Sequence, residues 1–153
     1  MRELYPDLLN QDFVEFLCSL HQQDVECILV GGYAVALHGY LRTTGDLNLW
    51  VRPTPENYRK LRRAFAQFGL PTDAISETAF VSSKDHDVFT FGRPPVAIDI
   101  LTKVKGLDFE EAYQLAEILR VDNAPLHLLT LQHLKTAKKS AGRHKDLDDL
   151  EHL

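Results

Sequence analysis

Two amphipathic helices stand out in the pattern of apolar and polar positions. Apolar residues recur at helical spacing from position 13 to position 20, after Asn10 or Asp12, and predict a helix that ends near Gln23. The same spacing follows Thr54, a natural N-cap, and continues to about residue 68, where Gly69 is expected to end the helix.

Short apolar or alternating runs predict the strands, and we expect them at 25–30, 46–51, 87–91, 96–101 and 118–121. Arg93-Pro94-Pro95 separates the third run from the fourth, which is typical of a hairpin. Residues 124–126 are expected to form a loop, and residues 72–85 to be less regular.

Three more helical stretches complete the pattern: 33–40, 109–115, and a last section that Thr130 caps and that breaks near Gly142. The order of elements predicts an α/β (α+β) fold, with a mixed sheet flanked by helices and with C-terminal helices. We expect residues 1–153 to form a single domain whose C-terminal helical section spans about 129–153.

Composition favours a globular protein of the cytoplasm. Apolar residues make up 44% of the chain and charged residues 25%, and the net charge of −5 argues against general coating of nucleic acid. No apolar run approaches the roughly 20 residues that span a bilayer, and the N-terminus is unlike a signal peptide, so no membrane partner is expected. Cys18 and Cys27 form no disulfide or metal motif, and Cys27 is expected to be a small core residue.

A glycine pair, Gly31-Gly32, follows an apolar strand and precedes a short helix. Glycines let the backbone come close to a ligand and can place amide donors on a phosphate at a helix N-terminus. An isolated Gly-Gly is also typical of an ordinary strand-to-helix turn, so the pair gains weight only from the carboxylates that follow it.

The strand at 46–51 places Asp46, Asn48 and Trp50 on one face, because strand side chains alternate. Asp99 brings another carboxylate on a second apolar strand. Oxygen ligands of this kind hold Mg²⁺ (or Mn²⁺) together with the phosphates of a nucleotide. Asp46 can instead be a turn residue, and Asp99 a strand-edge or solvent-facing residue. Trp50 can stack on a base, although packing in the core or a groove is favoured.

Basic residues form a second set of candidates. Lys135, Lys138 and Arg143 either face phosphates in a cleft or form solvated pairs with nearby acidic residues. Arg42 is the cation nearest Asp46 in the sequence, and it can be a structural ion pair or a ligand contact. The basic run at 59–63 is predicted to be the solvent face of its helix, and it is the best candidate for an RNA-binding patch.

These segments together resemble the minimal nucleotidyltransferases of the DNA polymerase beta-like superfamily, especially the group around the AbiEii-type bacterial toxins. The segments are Val30-Gly31-Gly32, Leu37-His38-Gly39, Arg42-Thr43-Thr44, Asp46-Leu47-Asn48-Leu49-Trp50-Val51, Ala97-Ile98-Asp99-Ile100-Leu101, and a C-terminal pattern of Lys135, Lys138, Ala141-Gly142-Arg143, Lys145-Asp146 and Asp149-Leu150. The resemblance covers nearly the whole chain. The combination is specific to the fold and says little about the substrate.

The resemblance implies roles for individual residues. Gly31 and Gly32 would contact a triphosphate, Asp46 would ligate two metal ions, and Asp99 would ligate the catalytic ion and help to deprotonate the acceptor. Arg42, Lys135, Lys138 and Arg143 would be the cations that contact the phosphates of the nucleotide. The implied reaction moves a nucleoside monophosphate from an NTP to an RNA (tRNA) or protein acceptor and releases pyrophosphate, with Mg²⁺ or Mn²⁺. A toxin–antitoxin or phage-defence role, with a cognate antitoxin as partner, is also implied.

Position 48 departs from the family, which has a metal-binding aspartate there. The amide oxygen of Asn48 can coordinate a cation, but it brings no negative charge. Three explanations stay open: a nucleotide-binding descendant with little catalysis, an enzyme that works with one well-held metal ion, or an engineered substitution that disarms a toxic enzyme.

Overall fold

The structure of the chain is a computed structural model that describes residues 2–4, 9–40, 45–82, 88–93 and 96–153. The described residues form seven strands: β1 (Arg2–Leu4), β2 (Cys27–Val30), β3 (Asp46–Val51), β4 (Val88–Arg93), β5 (Val96–Leu101), β6 (Glu117–Val121) and β7 (Ala124–Leu128). They also form seven helices: α1 (Gln11–Gln22), α2 (Gly31–Leu37), α3 (Pro55–Phe68), α4 (Glu77–Ser82), α5 (Phe109–Leu115), α6 (Leu131–Ala141) and α7 (His144–His152).

The strands form one mixed sheet in the order β1-β6-β7-β2-β3-β5-β4. The central strand β2 pairs antiparallel with β3 and parallel with β7. Strand β3 in turn pairs parallel with β5, and β4 and β5 form the antiparallel hairpin that the sequence predicts. The predicted mixed sheet flanked by helices is therefore confirmed.

One face of the sheet packs against α1 and α3. Leu47, Leu49 and Val51 of β3 are fully buried on this face, as the alternation predicts. The Phe65 ring of α3 lies 5.0 Å from the Phe91 ring of β4 and 5.9 Å from the Phe16 ring of α1, measured between centroids. Each large apolar side chain buried in this way stabilises the fold by about 1.5–3 kcal/mol.

The other face is covered in part by α5. Trp50 points to this face, is 2% exposed, and packs edge-on against Phe109 at 5.2 Å, so packing in the core is confirmed for Trp50. The Arg52 guanidinium lies 4.8 Å from the centre of the Phe109 ring and donates hydrogen bonds to Glu26 and Glu110. Cation–π contact and ion pairing thus hold the start of α5 against the end of β3.

Side-chain caps fix the helix ends where the sequence predicts them. Asn10, Thr54 and Thr130 each accept a hydrogen bond from a backbone N–H in the first turn of α1, α3 and α6. Gly69 and Gly142 end α3 and α6. Within the described ranges, no helix has the length and apolar character needed to cross a bilayer.

The prediction of a loop at 124–126 is wrong, because these residues form the start of β7. The Leu129 N–H donates to the Leu29 carbonyl at 3.1 Å, so the odd-numbered positions of β7 direct their N–H groups toward β2. Pro125 lies before the first residue that pairs with β2, so its missing N–H costs no hydrogen bond there.

Other elements also differ from the sequence prediction. Strand β1 was not predicted, and α4 lies in the stretch expected to be less regular. Helix α2 begins at Gly31 itself rather than after the glycines, and it ends at Leu37 rather than near residue 40. Strand β2 begins at Cys27, which is 7% exposed, so its assignment as a core residue is confirmed.

A buried ion cluster joins α6 to α7. The Lys138 ammonium lies 3.1 Å from an oxygen of Asp146 and 3.0 Å from one of Asp149, and these two acids are 0% and 1% exposed. Arg143 donates to Asp146 from Nε at 2.6 Å and from its backbone N–H at 3.1 Å. Burial raises the pKa of Asp146, but the hydrogen bonds from Arg143 and Lys138 outweigh it, so the pKa lies below its usual range.

We expect Lys138→Met to lower the free energy of unfolding by about 3 kcal/mol, because it removes the ammonium between two buried carboxylates. Urea unfolding at neutral pH measures the loss. Lys139→Met is the matched control, since Lys139 is exposed on the same helix, and it should change stability by under about 0.5 kcal/mol. A loss below about 1 kcal/mol for Lys138→Met would contradict the importance of the cluster.

The contribution of Asp146 to the free energy of unfolding depends on pH, and the lowered pKa sets the sign of this dependence. A carboxyl whose pKa is lowered by folding stabilises the native state above its unfolded pKa of about 3.9, and this contribution disappears as the pH falls through the lower native pKa. The difference in the free energy of unfolding between wild type and Asp146→Asn should therefore be largest at neutral pH and should shrink in acid. Urea unfolding at neutral pH and in acid checks this, and a constant difference would contradict it.

Candidate active site

The pairing of β3 with β5 places the candidate site residues on one face of the sheet. Asn48 lies directly opposite Asp99, and Asp46 lies two residues earlier on β3, opposite Ala97. Side chains of in-register residues on parallel neighbours point to the same side, so Asp46, Asn48 and Asp99 share the face that also carries Trp50. Asp46 and Asp99 are both half-buried.

Thr90 supports Asp99 from the neighbouring strand. It lies opposite Asp99 in the hairpin, and its hydroxyl donates to Oδ1 of Asp99 at 2.8 Å. Thr90 is not among the site residues predicted from the sequence. The signal was present, because counting outwards from Pro94 and Pro95 pairs position 90 with position 99.

The glycine turn lies directly against Asn48. Val30, the last residue of β2, is paired with Asn48, and Gly31 follows with φ +71°. A Cβ at Gly31 would lie 2.4 Å from Nδ2 and 2.8 Å from Cβ of Asn48, closer than real atoms approach. Position 31 therefore requires glycine both for its backbone conformation and for the space that Asn48 occupies.

The Asn48 side chain carries a buried oxygen whose hydrogen-bonding capacity is not used. Its Oδ1 atom has no hydrogen-bond partner among the described residues. A buried amide oxygen without a donor is costly unless a ligand, an ion or water meets it. This atom is thus suited to accept a ligand beside the two carboxylates.

A cleft of about 240 Å³ opens beside Asn48, between the sheet and the C-terminal helices. Four of the predicted site residues are among the described residues that line it, namely Gly31, Asn48, Lys138 and Arg143. Lys103 and Lys105 also line the cleft, although they are not among the site residues predicted from the sequence. No periodic pattern marked these two lysines, since they lie in the irregular segment after β5.

The other predicted site residues lie elsewhere. Asp46 and Asp99 are on the sheet face next to Asn48 but are not among the described residues that line the cleft. Gly32 is buried, and Lys135 is half-buried on α6 outside the described lining of the cleft. Arg42 lies outside the described residues, as do Thr43 and Thr44.

The ion cluster changes the interpretation of the C-terminal cations. Lys138 is buried rather than solvated, and although it lines the cleft, its charge is matched by Asp146 and Asp149. Arg143 is exposed on its other side and shares Asp146. Direct contact between Lys138 or Arg143 and a phosphate stays a prediction, and it would compete with these ion pairs.

Two side chains of the basic run on α3 contact residues that follow the helix in the chain. Arg59 is exposed and lies 3.9 Å from Glu77, and Arg62 donates to the Thr72 carbonyl at 3.1 Å. This surface belongs to α3, the helix that packs on the sheet face opposite the candidate site.

A larger cavity of about 400 Å³ lies at the other end of β2, away from Gly31. Cys27, His127 and Glu26 line it. Burial raises the pKa of Cys27 to about 12, so its thiol is protonated at neutral pH and is not a nucleophile. Burial lowers the pKa of His127, and Glu26 partly opposes this shift. These residues form no catalytic arrangement.

The side chains beside Asn48 carry oxygen atoms of the type that divalent cations prefer. In the part of the chain that the structure describes, no three His, Cys, Asp or Glu side chains gather around a common point. Asp46, Asp99 and the amide oxygen of Asn48 supply oxygen ligands, which suit Mg²⁺ or Mn²⁺. Metal binding by these residues stays a prediction.

Gly31→Ala should destabilise the fold by about 2–3 kcal/mol, because it adds backbone strain and a clash with Asn48. Thermal and urea unfolding measure the loss. Gly69→Ala is the matched control, since Gly69 also has positive φ, at +103°, but a Cβ there meets nothing within 4 Å. Equal losses in the two variants would contradict the contact with Asn48.

Comparison with known proteins supports the fold alone. No model of a known protein family matches the chain, and no curated protein sequence matches it significantly. Among solved structures, the chain is similar to TM1012 from Thermotoga maritima, which carries the name "putative nucleotidyltransferase". The TM-score is 0.55 at 12% sequence identity, over 94% of this chain and 92% of TM1012. The chain therefore has a nucleotidyltransferase-like fold.

Proposed function

We propose that the chain binds a nucleoside triphosphate beside Gly31 and Asn48 and transfers its nucleoside monophosphate to an RNA or protein acceptor. The observation that carries this proposal is the shared sheet face of Asp46, Asn48 and Asp99, next to a glycine turn and a cleft. The nucleotidyltransferase-like fold of TM1012 supports the same class of reaction.

The side chains have distinct roles in the proposed reaction. Asp46, Asp99 and the Asn48 amide oxygen would hold Mg²⁺, which when bound neutralises phosphate charge and orients the nucleotide. Gly31 has no side chain to keep a phosphate away from the backbone. The Thr90 hydroxyl fixes the orientation of the Asp99 carboxylate through its hydrogen bond to Oδ1.

The proposed step is a displacement at the α-phosphorus. The acceptor hydroxyl oxygen forms a bond to phosphorus, the bond to the bridging oxygen breaks, and pyrophosphate leaves. Asp99 takes the proton from the acceptor hydroxyl. Positioning and charge neutralisation supply most of the catalysis in reactions of this type.

Asn48 also favours a second candidate function, a binding module that holds a nucleotide with little turnover. An amide in place of a carboxylate weakens divalent metal binding, and the two described carboxylates of the site are fewer than the three expected in this family. An antitoxin partner and a role in toxin–antitoxin or phage-defence systems belong to the proposal of nucleotide transfer, through the resemblance only.

The transfer assay uses α-labelled NTPs with bulk tRNA and with lysate protein, in Mg²⁺ and in Mn²⁺. Wild type is compared with Asn48→Asp, and Asp46→Ala in each background is the inactive control. We expect Asn48→Asp to label an acceptor more strongly than wild type, because a third carboxylate strengthens metal binding. If neither protein labels any acceptor, transfer is wrong and the binding module remains.

Metal binding is tested separately. Asp46→Ala and Asp99→Ala should each weaken Mn²⁺ binding by more than about tenfold, since a lost ligand costs at least as much as a lost outer-shell partner. Titration calorimetry measures the affinity. Asp73→Ala is the control, because Asp73 is exposed and distant in sequence from the site. Unchanged binding in both site variants would contradict the assignment.

A further inference from the structure

We infer that Lys103 and Lys105 bind the β- and γ-phosphates of the nucleotide. This inference rests on the proposed function and adds the residues that supply positive charge to the cleft. Both lysines line the cleft beside Gly31 and Asn48, and both are exposed. A polyphosphate bound in this cleft would therefore lie among residues that include both lysines.

The other cations of the cleft are already neutralised. Lys138 is matched by Asp146 and Asp149, and Arg143 donates to Asp146. Among the described residues, Lys103 and Lys105 take part in no ion pair and donate no side-chain hydrogen bond. They therefore carry the unmatched positive charge of the cleft, and binding phosphate costs them no existing contact.

The segment that carries the two lysines is anchored on both sides. Thr102 is 4% exposed, and the Leu107 N–H donates to the Val104 carbonyl at 3.2 Å. Gly106 has φ +89°, and a Cβ there would lie 2.2 Å from Oγ of Ser140 on α6. The segment thus packs directly on α6, so the lysines are presented from a fixed backbone.

The positive charge of Lys103 and Lys105 matters more because position 48 is an asparagine and not an aspartate. An aspartate at position 48 would add a negative charge that recruits a divalent ion, and such an ion would neutralise phosphate. Asn48 brings no negative charge to recruit a second ion. Lys103 and Lys105 place two fixed positive charges beside the same position, where they can neutralise the phosphates directly.

The experiment measures the affinity of the full chain for each of the four NTPs and for inorganic tripolyphosphate, with Mg²⁺ and then with EDTA. The test variant is Lys103→Ala/Lys105→Ala, and Lys103→Arg/Lys105→Arg keeps the charges. Lys139→Ala is the matched control, because Lys139 is exposed on α6 but is not among the described residues that line the cleft. A parallel titration uses bulk tRNA.

The double alanine variant should bind the preferred NTP and tripolyphosphate about tenfold more weakly, and the loss should be greater in EDTA. The arginine variant and Lys139→Ala should stay within about twofold of wild type. If wild type binds NTP and the double alanine variant binds it equally tightly, the inference is wrong but the proposed function still stands. Loss of tRNA binding alone also overturns it. Absence of NTP and tripolyphosphate binding in wild type overturns both.

Gly106→Ala tests the positioning without removing either charge. The added methyl group would lie 2.2 Å from Oγ and 3.0 Å from Cβ of Ser140, and alanine is strained at φ +89°. The backbone that presents the lysines should therefore shift, and NTP affinity should fall while urea unfolding still shows a cooperative transition. If Gly106→Ala is folded and binds NTP as tightly as wild type, the fixed placement of the lysines is wrong.

Discussion

The in-register pairing of β3 with β5 is the constraint on which the candidate site depends. It sets Asn48 beside Asp99 and leaves Asp46 one step away on the same face. The hairpin adds Thr90 to this row, and β2 adds Val30 on the other side, so that the glycine turn must lie against Asn48. A shift of one residue in this register would move the two acids to opposite faces of the sheet.

The elements that surround this row were largely predictable from local signals. Strands β3 and β5 and helices α3 and α5 have the predicted bounds, because alternation, caps and terminal glycines define them within a few residues. The buried position of Trp50 followed from the size and apolar character of the residue, since the strand alternation places it on the face of Asp46 and Asn48. The position of Asp99 within an apolar strand was likewise predictable, while its role and that of Asp46 stay predictions.

Other features depend on contacts between distant segments. Strand β7 contains Pro125, which locally favours a loop, and its strand geometry follows from pairing with β2 and β6. Lys138 lies on a helix face rich in charge, and only the fold of α7 against α6 shows that it is buried between Asp146 and Asp149. Lys103 and Lys105 join the cleft through the packing of Gly106 on Ser140, which no pattern within the segment indicates.

The strand order has a consequence for folding during synthesis. Strand β2 is the centre of the sheet, yet it pairs with β7 on one side, and β1 pairs with β6. The ribosome releases residues 27–101 before residues 117–128. The edge of β2 that pairs with β7 therefore stays unpaired at a time when β3, β4 and β5 can already pair. Long-range pairing of this kind is slow, and the nascent chain exposes the unpaired backbone N–H and C=O groups of β2 until the last quarter of the sequence emerges.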